Sequence, residues 1–152
     1  MKALGFFVRL VLIVITFAAF IVVCHAHANQ PQGPTIASDL NGVWINVNPK
    51  TRGLVRIEIQ NKKIHPYGAC HPDPCDWGVL KVKGFASTVD SGVAVALTAK
   101  QTTSFSHSEI TLPLEHDGRL RAEVFTHFTD NSGRADYRSV DYFERVRPAY
   151  AP

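Results

Sequence analysis

The segment from Tyr67 to Gly78 holds the densest group of chemically reactive side chains in the sequence. Its twelve residues, YGACHPDPCDWG, include two cysteines, one histidine and two aspartates. Ligands for a zinc ion could be drawn from Cys70, Cys75, His71, Asp73 and the nearby His65. A thiolate zinc site usually needs a second pair of ligands at similar spacing, and no second cysteine pair appears. A Cys70–Cys75 disulfide that closes a turn is therefore favoured.

Two further histidines are weaker candidates for metal ligands. A hairpin centred on the Asp-Gly pair at 117–118 would place His107 opposite about Phe128, so that His107 and His127 could be near neighbours. With a carboxylate nearby, two imidazoles can bind a divalent metal. The candidate carboxylates are Glu109, Glu123 and Asp141. Alternating strands also require polar residues on their solvent face, and that interpretation is favoured, so no metal is predicted.

Catalytic motifs are missing from the rest of the sequence. There is no G-x-S-x-G, no H-E-x-x-H and no glycine-rich phosphate loop, and pairing of Cys70 with Cys75 would use up the thiols of the processed chain. We therefore predict no catalytic residue and no cofactor, and a non-enzymatic role is favoured.

The first 28 residues predict a secretory signal peptide. Lys2 and Arg9 are the only charges before Asp39, an apolar run fills residues 10–23, and Ala26–Ala28 provides an A-x-A cleavage site. Export to the periplasm or the extracellular space is expected. The apolar segment also approaches the ~20 residues that cross a bilayer, so an uncleaved membrane anchor is the alternative.

Net charge and cysteine content indicate which partners and which compartment to expect. The formal charge of +3 falls to +1 once Lys2 and Arg9 are removed, and no basic cluster appears. Nucleic acid is therefore not an expected partner, and contact with a membrane is expected only through an uncleaved signal segment. The cysteine count falls from three to two, which in an oxidising compartment favours one disulfide.

Short alternating strands dominate the remaining chain. Eight of them are predicted, at 42–48, 54–60, 63–67, 79–86, 92–99, 106–115, 120–129 and 135–146. Turn signals separate them every dozen residues or so, which is typical of an all-β barrel or sandwich. Because consecutive hairpins favour an up-and-down order, we expect a small antiparallel barrel, with a sandwich as the alternative. The domain is predicted at 39–148, between a flexible lead-in at 29–38 and a tail at 149–152.

The first strands and the cysteine loop resemble a group of small exported bacterial domains without an established activity. The shared pattern is G-x-W-x-N, then T-x-G with an alternating strand, then an aromatic-G-x-C-x-P-x-x-C-D-W-G loop. It covers about residues 42–80, and Tyr67 stands where tryptophan is commoner. The resemblance implies a common scaffold and no particular reaction.

A more distant resemblance is to the lipocalin and avidin-like (calycin-type) barrels. Gly42-Val43-Trp44 matches their first-strand G-x-W, and Arg145 or Arg147 matches the basic residue that lies over this tryptophan on the last strand. The resemblance implies that the guanidinium stacks on the indole and bonds to the closed barrel end.

Aromatic side chains could line a pocket in the barrel interior or mouth. The candidate residues for a ligand pocket or barrel end are Trp44, Trp77, Tyr142 and Arg145. Eight-stranded barrels are only just wide enough for one small ligand, so a filled core is the simpler interpretation. The leading functional hypothesis is an exported binding module for a small molecule or another exported protein. A secreted inhibitor of a protease or lysozyme, with residues 29–38 as its candidate inhibitory tail, and a metal-dependent enzyme are the alternatives.

Overall fold

The computed structural model describes residues 33–147. The predicted signal segment at 1–28, the start of the lead-in at 29–32 and the tail at 149–152 lie outside the described residues. Within 33–147, no helix is long and apolar enough to cross a bilayer. The elements are β1 (Thr35–Ile36), a 3-10 helix (Ser38–Leu40), β2 (Gly42–Asn46), β3 (Leu54–Gln60), β4 (Lys63–Gly68), β5 (Cys75–Asp76), β6 (Leu80–Ala86), β7 (Val93–Thr102), β8 (Ser106–Pro113), β9 (Leu120–Phe128) and β10 (Tyr137–Arg145).

Eight of these strands form the predicted closed antiparallel barrel. Around the ring they follow the order β2, β3, β4, β6, β7, β8, β9 and β10, and β10 pairs with β2 to complete it. Each strand therefore pairs with its neighbour in the chain, apart from the short β1 and β5. Closure leaves the eight strands without a free edge.

Tight turns explain this up-and-down order. Asn61 and Lys62 both have positive φ, at 53° and 58°, in the two-residue connection between β3 and β4. This conformation matches the twist of a β-hairpin, and asparagine tolerates it better than most residues. Gly118, at φ 82°, provides the left-handed position in the predicted Asp-Gly turn between β8 and β9.

One end of the barrel is filled by large apolar side chains, and we call it the closed end. It carries the 61–62 turn, the 87–92 loop and the 114–119 hairpin. Its interior holds Leu40, Trp44, Leu97, Leu112, Leu120 and Phe143, all at most 1% exposed. The 3-10 helix inserts Leu40 as a plug, and the indole nitrogen of Trp44 donates a 2.9 Å hydrogen bond to the Leu40 carbonyl.

Part of the predicted lead-in belongs to the barrel. Thr35 and Ile36 pair in parallel with Val93 and Ala94 of β7, and the Thr35 amide donates to the Gly92 carbonyl at 2.9 Å. Residues 35–38 are therefore not a free tether. The alternating sequence pattern was too short there to predict a strand, and β5 at Cys75–Asp76 escaped prediction for the same reason.

Candidate functional site

The opposite end of the barrel, which we call the open end, has an interior lined by small or polar side chains. It carries the 47–53, 69–79, 103–105 and 129–136 loops. Inward-facing positions near it are occupied by Gly68, Ser106, Ser108, Thr126 and Ser139. Ser108 and Thr126 share a 3.2 Å hydrogen bond, so part of the polarity is satisfied internally. These side chains are too small to fill the ring.

A cavity of about 360 Å³ occupies this end and opens to solvent. Gly68 on β4 and Val124 on β9 both line it, although these two strands lie half-way round the ring from each other. The cavity therefore reaches across the barrel interior. Its lining residues are Arg52, Gly53, Leu54, Gly68, Ala69, Cys70, Cys75, Trp77, Val124, Tyr137 and Ser139.

Trp77 forms one wall of the open-end cavity. Its backbone is fixed by two hydrogen bonds, from its amide to the Pro66 carbonyl at 3.1 Å and from Gln101 Nε2 to its carbonyl at 3.0 Å. The indole lies over Gly68, where a Cβ atom would come within 2.7 Å of Trp77 Nε1. A glycine is needed there so that the ring can lie flat against the strand.

The predicted disulfide is present and holds the loop that carries Trp77. Cys70 and Cys75 are bonded, with Cα atoms 5.4 Å apart. Both cysteines line the cavity, and their thiols are not available as metal ligands. The loop also joins the neighbouring 47–53 loop, because the Ala69 amide donates to the Gly53 carbonyl at 2.8 Å.

The 47–53 loop is held by a carboxylate that points into the barrel. Asp141 Oδ1 accepts hydrogen bonds from Asn46 Nδ2 and from Thr51 Oγ1, both at 2.8 Å. Asn46 Nδ2 also donates to the Leu54 carbonyl at 2.6 Å. A side chain at Gly53 would overlap Asp141 Oδ2, so this glycine allows the loop to approach closely. The network fixes the cavity wall that contains Arg52.

A second polar network attaches β5 to the outer face of β4. His65 Nε2 donates to Asp76 Oδ1 at 2.6 Å, and the Tyr67 hydroxyl donates to His65 Nδ1 at 3.0 Å. The Gly78 amide also donates to Asp76 Oδ1, at 2.6 Å. These hydrogen bonds, that from His65 first, lower the pKa of the Asp76 carboxyl. They position the start of the Trp77 segment from outside the barrel.

The four candidates for a ligand pocket or barrel end are not brought together at one place, since Trp44 and Arg145 lie at the closed barrel end and Trp77 lies at the open end. Trp44 is 1% exposed in the closed end, and only Trp77 lines the cavity. Tyr142 is on the outer face of β10, 37% exposed, with the Arg119 guanidinium 5.0 Å from its ring centroid. Trp44 and Trp77 therefore lie at opposite ends of the barrel, and Tyr142 lies on its outer face.

Arg145 lies at the closed end beside Trp44. The two residues are register partners on β10 and β2, and Arg145 Nη1 donates to the Asp39 carbonyl at 3.5 Å. Its side chain also lies against Gly42, where a Cβ atom would be 3.1 Å from Arg145 Nε. No cation–π contact joins it to Trp44 among the described residues. Arg145 is thus bound to the closed end through the 3-10 helix, and its guanidinium does not stack on the Trp44 indole.

The two histidine candidates lie side by side on the outer surface. His107 and His127 are direct register partners on β8 and β9, and both line a shallow groove of about 610 Å³. His127 Nδ1 donates to Asp136 Oδ2 at 2.6 Å, which lowers the pKa of Asp136. Glu109 also lines this groove.

The other carboxylates named with these histidines are engaged elsewhere. Glu123 is paired with Arg121 and Arg138, and Asp141 faces the interior of the barrel. No group of three or more histidine, cysteine, aspartate or glutamate residues within 33–147 is arranged to hold a metal ion. The groove therefore presents a histidine pair without the additional ligands that the metal hypothesis required.

Most residues around the cavity were missed from the sequence. Gly53 and Gly68 are the glycines of the T-x-G and aromatic-G-x-C motifs but were assigned no role in a site, and Arg52 and Ser139 are not specified by any motif; all four matter because they are small or basic at one end of the ring. A usable signal existed on β10, where Ser139, Asp141 and Phe143 alternate with outward-facing residues. Two polar residues at inward positions indicate a strand that does not face a fully apolar core.

Comparison of the chain with protein-family models, with curated proteins and with solved structures finds no match.

Proposed function

We propose that this protein is an exported, non-enzymatic binding module that takes a small molecule into the open-end cavity. Export is inferred from the signal-like N-terminal sequence and is compatible with the disulfide. The binding role is inferred from the geometry of the barrel interior.

The observation that carries the proposal is the space left by small inward-facing residues. Ser139 stands at an inward position where a large apolar side chain would fill the interior, and Gly68 leaves room only for the Trp77 indole that forms the cavity wall. The resulting volume of about 360 Å³ is within the ~300–1,000 Å³ usual for small-molecule sites. A barrel that needed only a stable core would gain free energy from filling this space.

The chemistry of the lining supports a ligand that is partly apolar. Leu54, Val124 and the Trp77 ring offer apolar surface, while Ser139 and Tyr137 offer hydroxyl groups. No hydrogen bond from Trp77 Nε1 to any residue of 33–147 is formed, and the atom is not among the buried unsatisfied groups of that range. The indole N–H is therefore able to donate to a ligand. A few polar groups in an apolar lining are typical of sites that orient a small molecule.

The two alternative functions gain less support. No third ligand among residues 33–147 is arranged to share a metal ion with the two histidines of the groove. Thr35 and Ile36, which belong to the segment named for the inhibitor hypothesis, are paired with β7 and are not a free tail. The cavity favours the binding module, because a barrel with a purely structural role would be more stable with this space filled.

The two tryptophans make the proposal testable by fluorescence. In Trp44→Phe the remaining indole is Trp77 at the cavity, and in Trp77→Phe it is Trp44 in the closed end. The two variants would be titrated with cyclohexanol, 1-octanol, octanoate and 3-phenylpropionate. We expect at least one compound to change the Trp77 emission saturably at one molecule per chain, with Trp44 unaffected.

A cavity-filling variant provides the control for specific binding. Ser139→Leu would fill the open end and should abolish the Trp77 response. Ser87→Leu, on the 87–92 loop of the closed end, should leave it intact. The proposal fails if no compound alters Trp77, or if Trp44 responds equally in the matched variant.

A further inference from the structure

The charge that the open-end cavity presents to a ligand is positive, because the Asp141 carboxylate beside Gly53 is already engaged by hydrogen bonds from Asn46 and Thr51. Arg52 is the one ionised side chain among its lining residues, and no carboxylate is included. A depression of about 610 Å³ adjoins the cavity and shares Arg52, Ala69 and Cys70 with it. Its lining adds Lys50 and His71, again without an acidic residue. A ligand that enters here meets cationic groups first.

Arg52 differs from most arginines of the barrel because it has no acidic partner. Arg119, Arg121 and Arg134 form salt bridges with carboxylates at 2.6–2.7 Å. Among residues 33–147, no carboxylate forms a salt bridge with Arg52. Its guanidinium therefore keeps a planar set of N–H donors that matches the two oxygens of a carboxylate.

The donors at the site outnumber its dedicated acceptors. Arg52 and the indole N–H of Trp77 only donate, whereas the hydroxyls of Ser139 and Tyr137 can donate or accept. A ligand rich in acceptor oxygens satisfies all four groups. A cationic ligand would instead face Arg52 and Lys50 without a compensating carboxylate in either lining.

We infer that the ligand is a small organic carboxylate, with its apolar body against Trp77, Leu54 and Val124 and its carboxylate on Arg52. This inference rests on the proposed function, because it assigns a chemical class to the occupant of the same cavity. Lys50 contributes positive potential at the entrance. Loop positions are set by the bonds that Asp141 makes to Asn46 and Thr51, so Arg52 is presented on a fixed segment.

The test compares ligands that share one body and differ in charge. The probes are 3-phenylpropionate, its neutral amide and 3-phenylpropylamine, with octanoate and octanamide as a second pair. Binding is followed through Trp77 emission in the Trp44→Phe protein. We expect each acid to bind more tightly than its amide, the amine to bind most weakly, and the affinity of the acids to fall with added salt.

Two arginine variants in the Trp44→Phe background locate the charge effect. Arg52→Gln should weaken binding of the acids about tenfold, since one exposed charge-assisted contact is lost, and should leave binding of the amides unchanged. Arg147→Gln removes the same charge beyond the end of β10, at the closed end, and should change neither. Arg52→Lys keeps the charge without the planar fork and should give an intermediate affinity for the acids. Circular dichroism of each variant verifies that the barrel has formed.

The outcomes separate this inference from the proposed function. If acids and amides bind equally, or Arg52→Gln acts on both, the carboxylate assignment is wrong while the cavity remains a binding site. If the acids lose affinity equally in Arg52→Gln and Arg147→Gln, the effect is one of overall charge and the assignment to Arg52 is wrong. If neither these probes nor the neutral compounds change Trp77, the proposed function itself is wrong.

Discussion

The two ends of the barrel are built from the same eight strands, and they differ in the size of the side chains that face the interior. At the closed end Trp44, Phe143 and Leu120 meet around the Leu40 plug and leave no open space. At the open end Ser108 and Ser139 stand at inward positions, and the cavity is bordered by two loops that the Ala69–Gly53 hydrogen bond joins. Strand pairing therefore determines that the ring closes, and side-chain volume determines which end can receive a ligand.

The largest expected effect distinguishes packing at the two ends. Phe143→Ala would leave a cavity in the closed end and should reduce the free energy of unfolding by about 3–5 kcal/mol. Tyr137 is an aromatic residue of the open end, 51% exposed, that stacks on Phe128 at 6.0 Å. Tyr137→Ala should cost about 1 kcal/mol or less.

Urea unfolding of both variants would measure this difference. Equal losses of stability would mean that the open end contributes as much packing as the closed end, and the distinction between them would not hold.

A smaller effect is expected from removal of the disulfide. The double substitution Cys70→Ser and Cys75→Ser should lower the free energy of unfolding by about 2 kcal/mol, because the unfolded loop regains conformational freedom. Trp77 emission should change while Trp44 emission stays constant, since only the open end contains this loop. Chemical reduction of the unmodified protein should reproduce both results, and an equal change at Trp44 would show that the two ends are coupled.

The smallest effect concerns acid sensitivity, which can be compared between the two ends through one carboxyl at each. Hydrogen bonds lower the pKa of Asp76, from His65 at the open end, and of Asp117, from Arg119 at the closed end. A lowered pKa in the folded state means that stabilisation is complete above the ordinary value near 3.8. It is lost as the pH falls through the lowered pKa.

Amide exchange between pH 5 and pH 2 would separate the two contributions. The Gly78 amide bonds to Asp76 at 2.6 Å and the Arg119 amide bonds to Asp117 at 3.0 Å, so each reports on its own carboxylate. Asp76→Asn should abolish the extra acid-induced loss of protection at Gly78 and leave Arg119 unchanged, and Asp117→Asn should do the reverse. A response of both amides to either substitution would indicate unfolding of the whole barrel.

The sequence predicted the ring better than it predicted the site. All eight barrel strands were placed within a few residues, because their alternation and turn signals such as the Asp-Gly pair are local. The inward face of β2 was ambiguous: Val43, Ile45 and Val47 are exposed, and Trp44 and Asn46 point inside. The side chains of Trp44 and Asn46 become enclosed only when β10 pairs with β2 and closes the ring, and no local sequence pattern contains this information.

The cavity depended on information that no single segment holds. The β3–β4 hairpin brings Arg52 near Gly68, since Leu54 pairs with Gly68, but Ser139 of β10 joins them only when the ring closes. Trp44 was named as a pocket candidate because it is aromatic, yet its indole bonds to Leu40 within the core. The disulfide was predictable because two cysteines five positions apart need no tertiary information to pair.

The shortest ladder of the ring has a mechanical consequence. β4 and β6 share only two register pairs, at Lys63–Lys81 and Ile64–Leu80, because the second half of β4 bonds to β5. Separating β4 from β6 breaks fewer backbone pairs than separating β7 from β8, which share seven. A ligand too broad for the open end would thus separate β4 from β6, beside Trp77, while the strands with longer ladders stay paired.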